Sequence, residues 1–222
     1  MKIFCSLLFF LTCNTFIQAQ QVSLSEIARK ARFDQKIDEF NNGAAKIKYS
    51  DVKGSPYYYP EFLKAKVGET SEMTLIRYNS FLDTIELVEK EDVYQLPKDE
   101  SIPSFVFEET KEKLVFLKTD DFYSGYFVEI AAGKYRILKK IMTKFQPEAP
   151  AANPMVAGTP AYFIPQKPLY FIKSENHFVK ITNAKDLSKS LSEKEIDGFI
   201  SKNKIKLNRE EDLIKLGNFL NQ

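Results

Sequence analysis

Cysteine is nearly missing from this sequence. The 222-residue chain holds two, Cys5 and Cys13, and both lie in its first segment. Once that segment is removed, no disulfide, thiolate metal site or cysteine nucleophile remains. Tryptophan is absent and His177 is the single histidine, so zinc held by several His or Cys residues is excluded beyond the first segment. A histidine-based triad would have to use His177, which sits in an expected hairpin turn with no motif around it. The sequence has no P-loop, GxGxxG or GxSxG signature. Asp120-Asp121 and Glu108-Glu109 lack the alternation and the glycine of an EF-hand loop. An excess of one charge is missing too: 32 basic against 30 acidic residues leave a net +2, with the two signs interspersed. No field of the kind that gathers a polyanion results, so nucleic acid is not an expected partner. No cofactor or metal is expected, and neither is a transmembrane helix in the mature chain.

What is present is the composition of a globular protein, 44% hydrophobic and 28% charged, which excludes a disordered chain. The length fits one domain, or one with an appendage. Lys2 followed by the apolar run Ile3 to Leu11 reads as a secretory signal segment, too short to span a bilayer. Cleavage is expected after Ala19, leaving Gln20 first, although Ile17 is larger than the ideal at its position. Phe10-Leu11-Thr12-Cys13 is a competing, distorted lipoprotein box in which Thr12 is bulky; lipid on Cys13 would tether the chain.

Residues 20–182 read as an antiparallel β domain, and residues 183–222 as its helical cap. Ile27, Ala31, Ile37 and Phe40 recur near helical spacing between Ser23 and Phe40, which predicts a helix there, with a loose N-terminal arm as the alternative. Thr74 to Glu89 holds two alternating runs flanking Asn79, Ser80 and Asp83, a hairpin signal. Further runs follow at about ten-residue spacing: Leu63 to Val67, Val93 to Leu96, Phe105 to Glu109, Leu114 to Thr119, Tyr123 to Ala131, Tyr135 to Phe145, Leu169 to Ile172 and Phe178 to Ile181. The expected fold is mainly β (α+β): an antiparallel meander, as an open curved sheet or partial barrel, with C-terminal helices packed on it. Helices are expected from Asn183 or Ala184 to Leu191, then after a Ser192 cap with Glu195 in its capping box, then after an Asn208 cap. The apolar stripe Leu213, Leu216, Phe219 and Leu220 marks the last one.

Gly54-Ser55-Pro56-Tyr57, then Phe62, then Arg77-Tyr78-Asn79 leading into Asp83-Thr84-Ile85-Glu86, resembles a pattern of uncharacterised secreted proteins of Bacteroidota. The resemblance covers roughly Val52 to Glu89. It implies an envelope location, at the periplasm or outer membrane, and brings no reaction, ligand or catalytic residue.

Two stretches stand out as candidate interaction surface. Tyr57, Tyr58 and Tyr59 cannot all face inward on a strand, so they either expose a ring for binding or clamp a sheet edge that Pro60 ends. Residues 146–168 carry Pro147, Pro150, Pro154, Pro160, Pro165 and Pro168 and read as a long loop. Its Met155, Val156, Tyr162, Phe163 and Ile164 are apolar enough either to face a partner or to pack over the sheet.

No catalytic residue is assigned. Glu86, Glu129 and Asp83 on neighbouring strands could converge as a carboxylate pair, which would suit glycosidase-type hydrolysis. The sequence favours a non-enzymatic exported protein, an interaction module or accessory subunit of an envelope complex. The alternative is a small-ligand or glycan binder whose Tyr57 to Tyr59, Tyr123 and Tyr126 line a concave face; a face filled by Phe105, Phe107, Phe116 and Phe127 counts against it.

Overall fold

The computed structural model describes residues 49–102, 104–151, 158–191 and 195–222. The expected signal segment with Ala19 and Gln20, the box at Cys13, the helix from Ser23 to Phe40, the Ser192 cap, Met155 and Val156 lie outside the described residues.

The Thr74–Glu89 region folds as the hairpin its alternation predicts. Strand β2 (Met73–Asn79) pairs with β3 (Thr84–Glu89), setting Ile76 against Leu87 and Tyr78 against Ile85 on one buried face. Asn79 makes the turn: its Oδ1 accepts the amides of Phe81 and Leu82 at 3.1 and 3.0 Å, and Asp83 takes the left-handed backbone at φ 57°. The second strand therefore starts at Thr84, just after the turn residue Asp83.

Around this hairpin lie β1 (Leu63–Val67), β4 (Asp92–Gln95), β5 (Phe105–Phe107), β6 (Lys113–Leu117), β7 (Gly125–Ala131), β8 (Arg136–Lys140), β11 (Leu169–Lys173) and β12 (Phe178–Lys180). They form one open antiparallel sheet in the order β12-β11-β8-β7-β6-β5-β1-β2-β3-β4. Two meanders, β1 to β4 and β5 to β8, meet where β5 returns past β4 to pair with β1.

The run from Tyr135 to Phe145 is two strands, not one. After Lys140 the chain leaves the large sheet, and β9 (Thr143–Gln146) pairs with β10 (Tyr162–Pro165) as a separate ribbon. The expected proline-rich loop thus contains a strand. Its prolines allow this because Pro160 lies before β10 and Pro165 at its last position, so no interior amide is lost. Tyr123 is not in β7 either: Asp121 Oδ1 accepts its amide at 2.9 Å and holds it in the preceding loop.

The sheet curls strongly. Tyr78 on β2 and Tyr126 on β7 have three strands between them, which in a flat sheet would hold them about 19 Å apart. Their ring centroids are 6.2 Å apart. The inner face is filled by Ile76, Tyr78, Leu87, Phe105, Phe107 and Tyr126, all buried. A second cluster on the outer face joins Val115, Phe127, Leu138 and Phe171.

Helices α1 (Ala184–Ser190), α2 (Ile196–Asn203) and α3 (Glu210–Leu220) bury Leu187, Ile196, Leu213 and Leu216 with Ile137 and Ile172 of the sheet. Of the two expected starts, Asn183 or Ala184, α1 begins at Ala184, and Asn183 caps it by accepting the Asp186 amide at 2.9 Å. The other two caps differ. Glu195 is the N-cap of α2 instead of its third residue, and Arg209, not Asn208, is the N-cap of α3; neither side chain bonds the helix. Inside α3, Asp212 accepts the Lys206 amide and the Lys215 ammonium instead, which ties the preceding loop to the helix. Gly217 lets α3 approach the sheet, since a Cβ there would lie 2.8 Å from that of Ala131.

Candidate interaction surface

Of the described expected interaction residues, Tyr57, Tyr58 and Tyr59 bond inside the fold through their hydroxyls, Phe163 is buried and Tyr162 is half-buried. Tyr57 lies on the outer face of the β2–β3 hairpin. The Arg77 guanidinium sits between two rings, 3.6 Å from the centroid of Tyr57 and 4.2 Å from that of Phe62. It donates to Glu86 Oε2 from Nε at 3.1 Å and from Nη2 at 2.7 Å, and to the Tyr57 hydroxyl at 3.0 Å. Burial, reinforced by the Glu86 charge, pushes the Tyr57 phenol well above the usual value. Tyr57, Phe62, Arg77 and Glu86 thus form a single cluster on this face.

Tyr58 and Tyr59 turn to the inner face. Their hydroxyls donate to the two oxygens of Glu112, at 2.9 and 2.7 Å. Lys139 Nζ donates to Glu112 Oε1 at 3.1 Å and to Glu210 Oε1 at 3.1 Å, and the Tyr170 hydroxyl donates to Glu210 Oε1 at 3.2 Å. The network joins the tyrosine segment, the β5–β6 turn, β8, β11 and the start of α3. Burial alone would raise Glu112, but the Tyr59 hydroxyl and Lys139 outweigh it and hold its carboxyl below the usual range. Burial opposes the Lys139 ammonium, and Glu112 and Glu210 more than compensate, so its pKa is raised. Burial beside Glu210 pushes the Tyr170 phenol up to about 12. The three hydroxyls thus bond within the fold, Tyr57 against the interior strands β2 and β3 and Tyr58 and Tyr59 at the β5–β6 turn, away from the edge strands β4 and β12.

Phe163 is buried against Phe81 and Phe145, with centroids at 5.2 and 5.6 Å, and meets Tyr49 edge-on at 5.3 Å. It packs the β9–β10 ribbon onto the β2–β3 turn and is not available to a partner. Tyr162 is half-buried beside Lys53.

Glu86, Glu129 and Asp83 do not converge. Each pairs with different cations: Glu86 with Arg77, Glu129 with Arg136 and Lys113, and Asp83 with Lys140 and Lys98. Among the described residues no group of three or more His, Asp or Glu side chains is placed to hold a metal ion, and no helix is long and apolar enough to cross a membrane. His177 lies exposed in the β11–β12 turn, its ring 3.4 Å from the Ser174 hydroxyl.

The exposed apolar surface lies elsewhere. On the outer face of β2, β3 and β4, Leu75 sits opposite Val88 and Val88 opposite Val93. Val93 is 47% exposed, Leu75 39%, and Met73 beside them 44%. The segment from Tyr49 to Phe62 meets this face at Arg77, through Tyr57 and Phe62. The stripe ends at β4, which is the last strand of the sheet, and among the described residues no strand pairs with its outer edge. The sequence does carry a signal for this site: Leu75, Val88 and Val93 are apolar on the face opposite Ile76, Leu87 and Tyr94, so this hairpin is apolar on both sides. Arg77 and Glu86 on that same face mask it.

No family model, no curated protein and no solved structure matches this chain.

Proposed function

We propose that this chain is an exported, non-enzymatic envelope protein that works as a protein-interaction module or accessory subunit at the periplasm or outer membrane, using the outer face of β2 to β4. The observation that carries the reading is the stripe Leu75, Val88 and Val93 running to a strand edge that is unpaired among the described residues. Such an edge offers backbone hydrogen bonds and an apolar face together, the combination that strand addition uses. The export part rests on the apolar run after Lys2 and on the resemblance to secreted proteins of Bacteroidota. The ligand-binding alternative is weakened by the inner face, which Phe105, Phe107 and Tyr126 fill as core. A carboxylate hydrolase is weakened because Glu86, Glu129 and Asp83 belong to separate ion pairs.

The test is affinity capture of tagged wild-type chain and of the Leu75→Lys/Val93→Lys variant from solubilised envelope. The reading predicts a stoichiometric protein companion held by the wild type and lost by the variant. Companions unchanged by the variant would remove the assigned surface.

A further inference from the structure

We infer that the partner of the β4 edge is a second copy of this chain, paired antiparallel across a twofold axis through Val93. The inference rests on the interaction reading above and names the occupant of the same surface.

The backbone fixes which groups are on offer. Leu96 N–H donates to Ile85 O at 2.7 Å, so Leu96 bonds inward to β3. In an antiparallel ladder the bonded positions alternate, so Tyr94 also bonds inward and Val93 and Gln95 turn their N–H and C=O groups outward.

The side chains then select the register. With Val93 opposite Val93, Asp92 faces Tyr94 and Glu91 faces Gln95. Apolar meets apolar, a carboxylate meets a phenol and another meets an amide. In each copy the Tyr94 hydroxyl donates to its own Asp92 Oδ2 at 2.9 Å, so these two groups enter the seam already paired. A shift one way sets Asp92 against Asp92, two like charges. A shift the other way sets Val93 against Gln95. Only the Val93 register joins the two stripes into one apolar band, from Leu75 of one copy to Leu75 of the other.

The pairing is also finite. Pro97 has no N–H to extend the ladder, and the turn at Lys90, where φ is 60°, ends it on the other side. A twofold contact uses both edges and closes, giving a dimer and not a fibre. The short strand puts the contact below the size of standard stable interfaces, so dissociation is expected in the micromolar range.

The near absence of cysteine supplies the test. In the exported chain with Cys5→Ser and Cys13→Ser, Val93→Cys becomes the sole thiol. Opposed residues in a hydrogen-bonded antiparallel pair lie about 5.5 Å apart at Cα, within disulfide range. In the same register two Gln95→Cys thiols would lie roughly 13 Å apart along the strand, out of range. Under mild oxidant, Val93→Cys should dimerise at least about tenfold faster than Gln95→Cys, and wild-type chain should sediment as a reversible dimer at high concentration. Equal rates for the two thiols, or a wild-type monomer at every concentration, would overturn the self-pairing. If that happens while the wild type still carries an envelope companion that Leu75→Lys/Val93→Lys loses, the interaction reading stands and only the second copy is wrong.

Discussion

Asp83 and Lys140 are 57 residues apart in the chain, and their charged groups meet at 2.9 Å. Asp83 sits in the β2–β3 turn and Lys140 at the end of β8, at opposite parts of the sheet. Asp83 Oδ1 also accepts the Tyr78 hydroxyl at 2.7 Å and the Tyr126 amide at 3.2 Å, while Lys140 donates to Tyr126 O at 3.0 Å. These bonds hold the curl. They also explain Gly125, where a Cβ would fall 1.7 Å from Asp83 Oδ2 and φ is +148°. Burial pulls the Lys140 ammonium below the usual lysine value even with Asp83 beside it.

Asp83→Asn leaves that ammonium buried without its counter-charge. Removing one partner of such a pair costs about 3–5 kcal/mol. Denaturant unfolding should show that loss, and Asp83→Asn/Lys140→Met should recover part of it by removing the stranded charge. A loss under 1 kcal/mol, against the roughly 3 expected, would mean the sheet curls without this bracket.

The Glu112–Lys139 network has a defined pH signature. The Glu112 pKa is lowered in the fold, so its contribution is fully present above the usual carboxylate value of 4.5 and is lost as the pH falls through the lower folded value. Lys139 is raised, so its contribution is complete below 10.5 and fades only as the pH rises through the higher folded value. Glu112→Gln should therefore lower stability at neutral pH and flatten the acid limb of a plot of melting temperature against pH. Parallel curves for wild type and variant would show that Glu112 is not linked to acid unfolding.

The C-terminal cap is held at two points. Asn221 Oδ1 accepts the Tyr135 amide at 2.8 Å, and its Nδ2 donates to Tyr135 O at 2.9 Å and Gly217 O at 2.8 Å. Asn221→Ala should cost about 1–2 kcal/mol. Gly217→Ala should cost about 1–3 kcal/mol, because the new methyl meets Ala131 and Ile137 where α3 approaches the sheet. Thermal melts of both variants check this; an unchanged Gly217→Ala would mean α3 can shift without loss.

Most of the fold was legible in the sequence because period-two patterns mark strands one at a time. The β2–β3 turn was readable from Asn79 and Asp83, and the last helix from Leu213, Leu216 and Leu220. The break after Lys140 was not readable, because Tyr135 to Phe145 carries no proline, glycine or turn former, and only the distant partner Tyr162–Pro165 splits it. The cap of α3 misled because Asn208 satisfies a local rule, while the residue that precedes the helix is Arg209. At the surface, three adjacent tyrosines drew the eye, but their hydroxyls bond to Glu86 and Glu112. The stripe was hidden because exposure of Leu75 and Val93 depends on where the Tyr49 to Phe62 segment stops, which no local pattern states.

The surface variants test the central claim. Leu75 and Val93 are exposed, so Leu75→Lys/Val93→Lys should change folding stability by no more than about 0.5 kcal/mol. The direct measurement is quantitative mass spectrometry of what wild type and this variant carry out of solubilised envelope, with an untagged copy of the chain present. The account predicts a near-stoichiometric companion on the wild type, an untagged copy or an envelope protein, and its loss from an equally well-folded variant. Identical companions on both, or none on either, would contradict it.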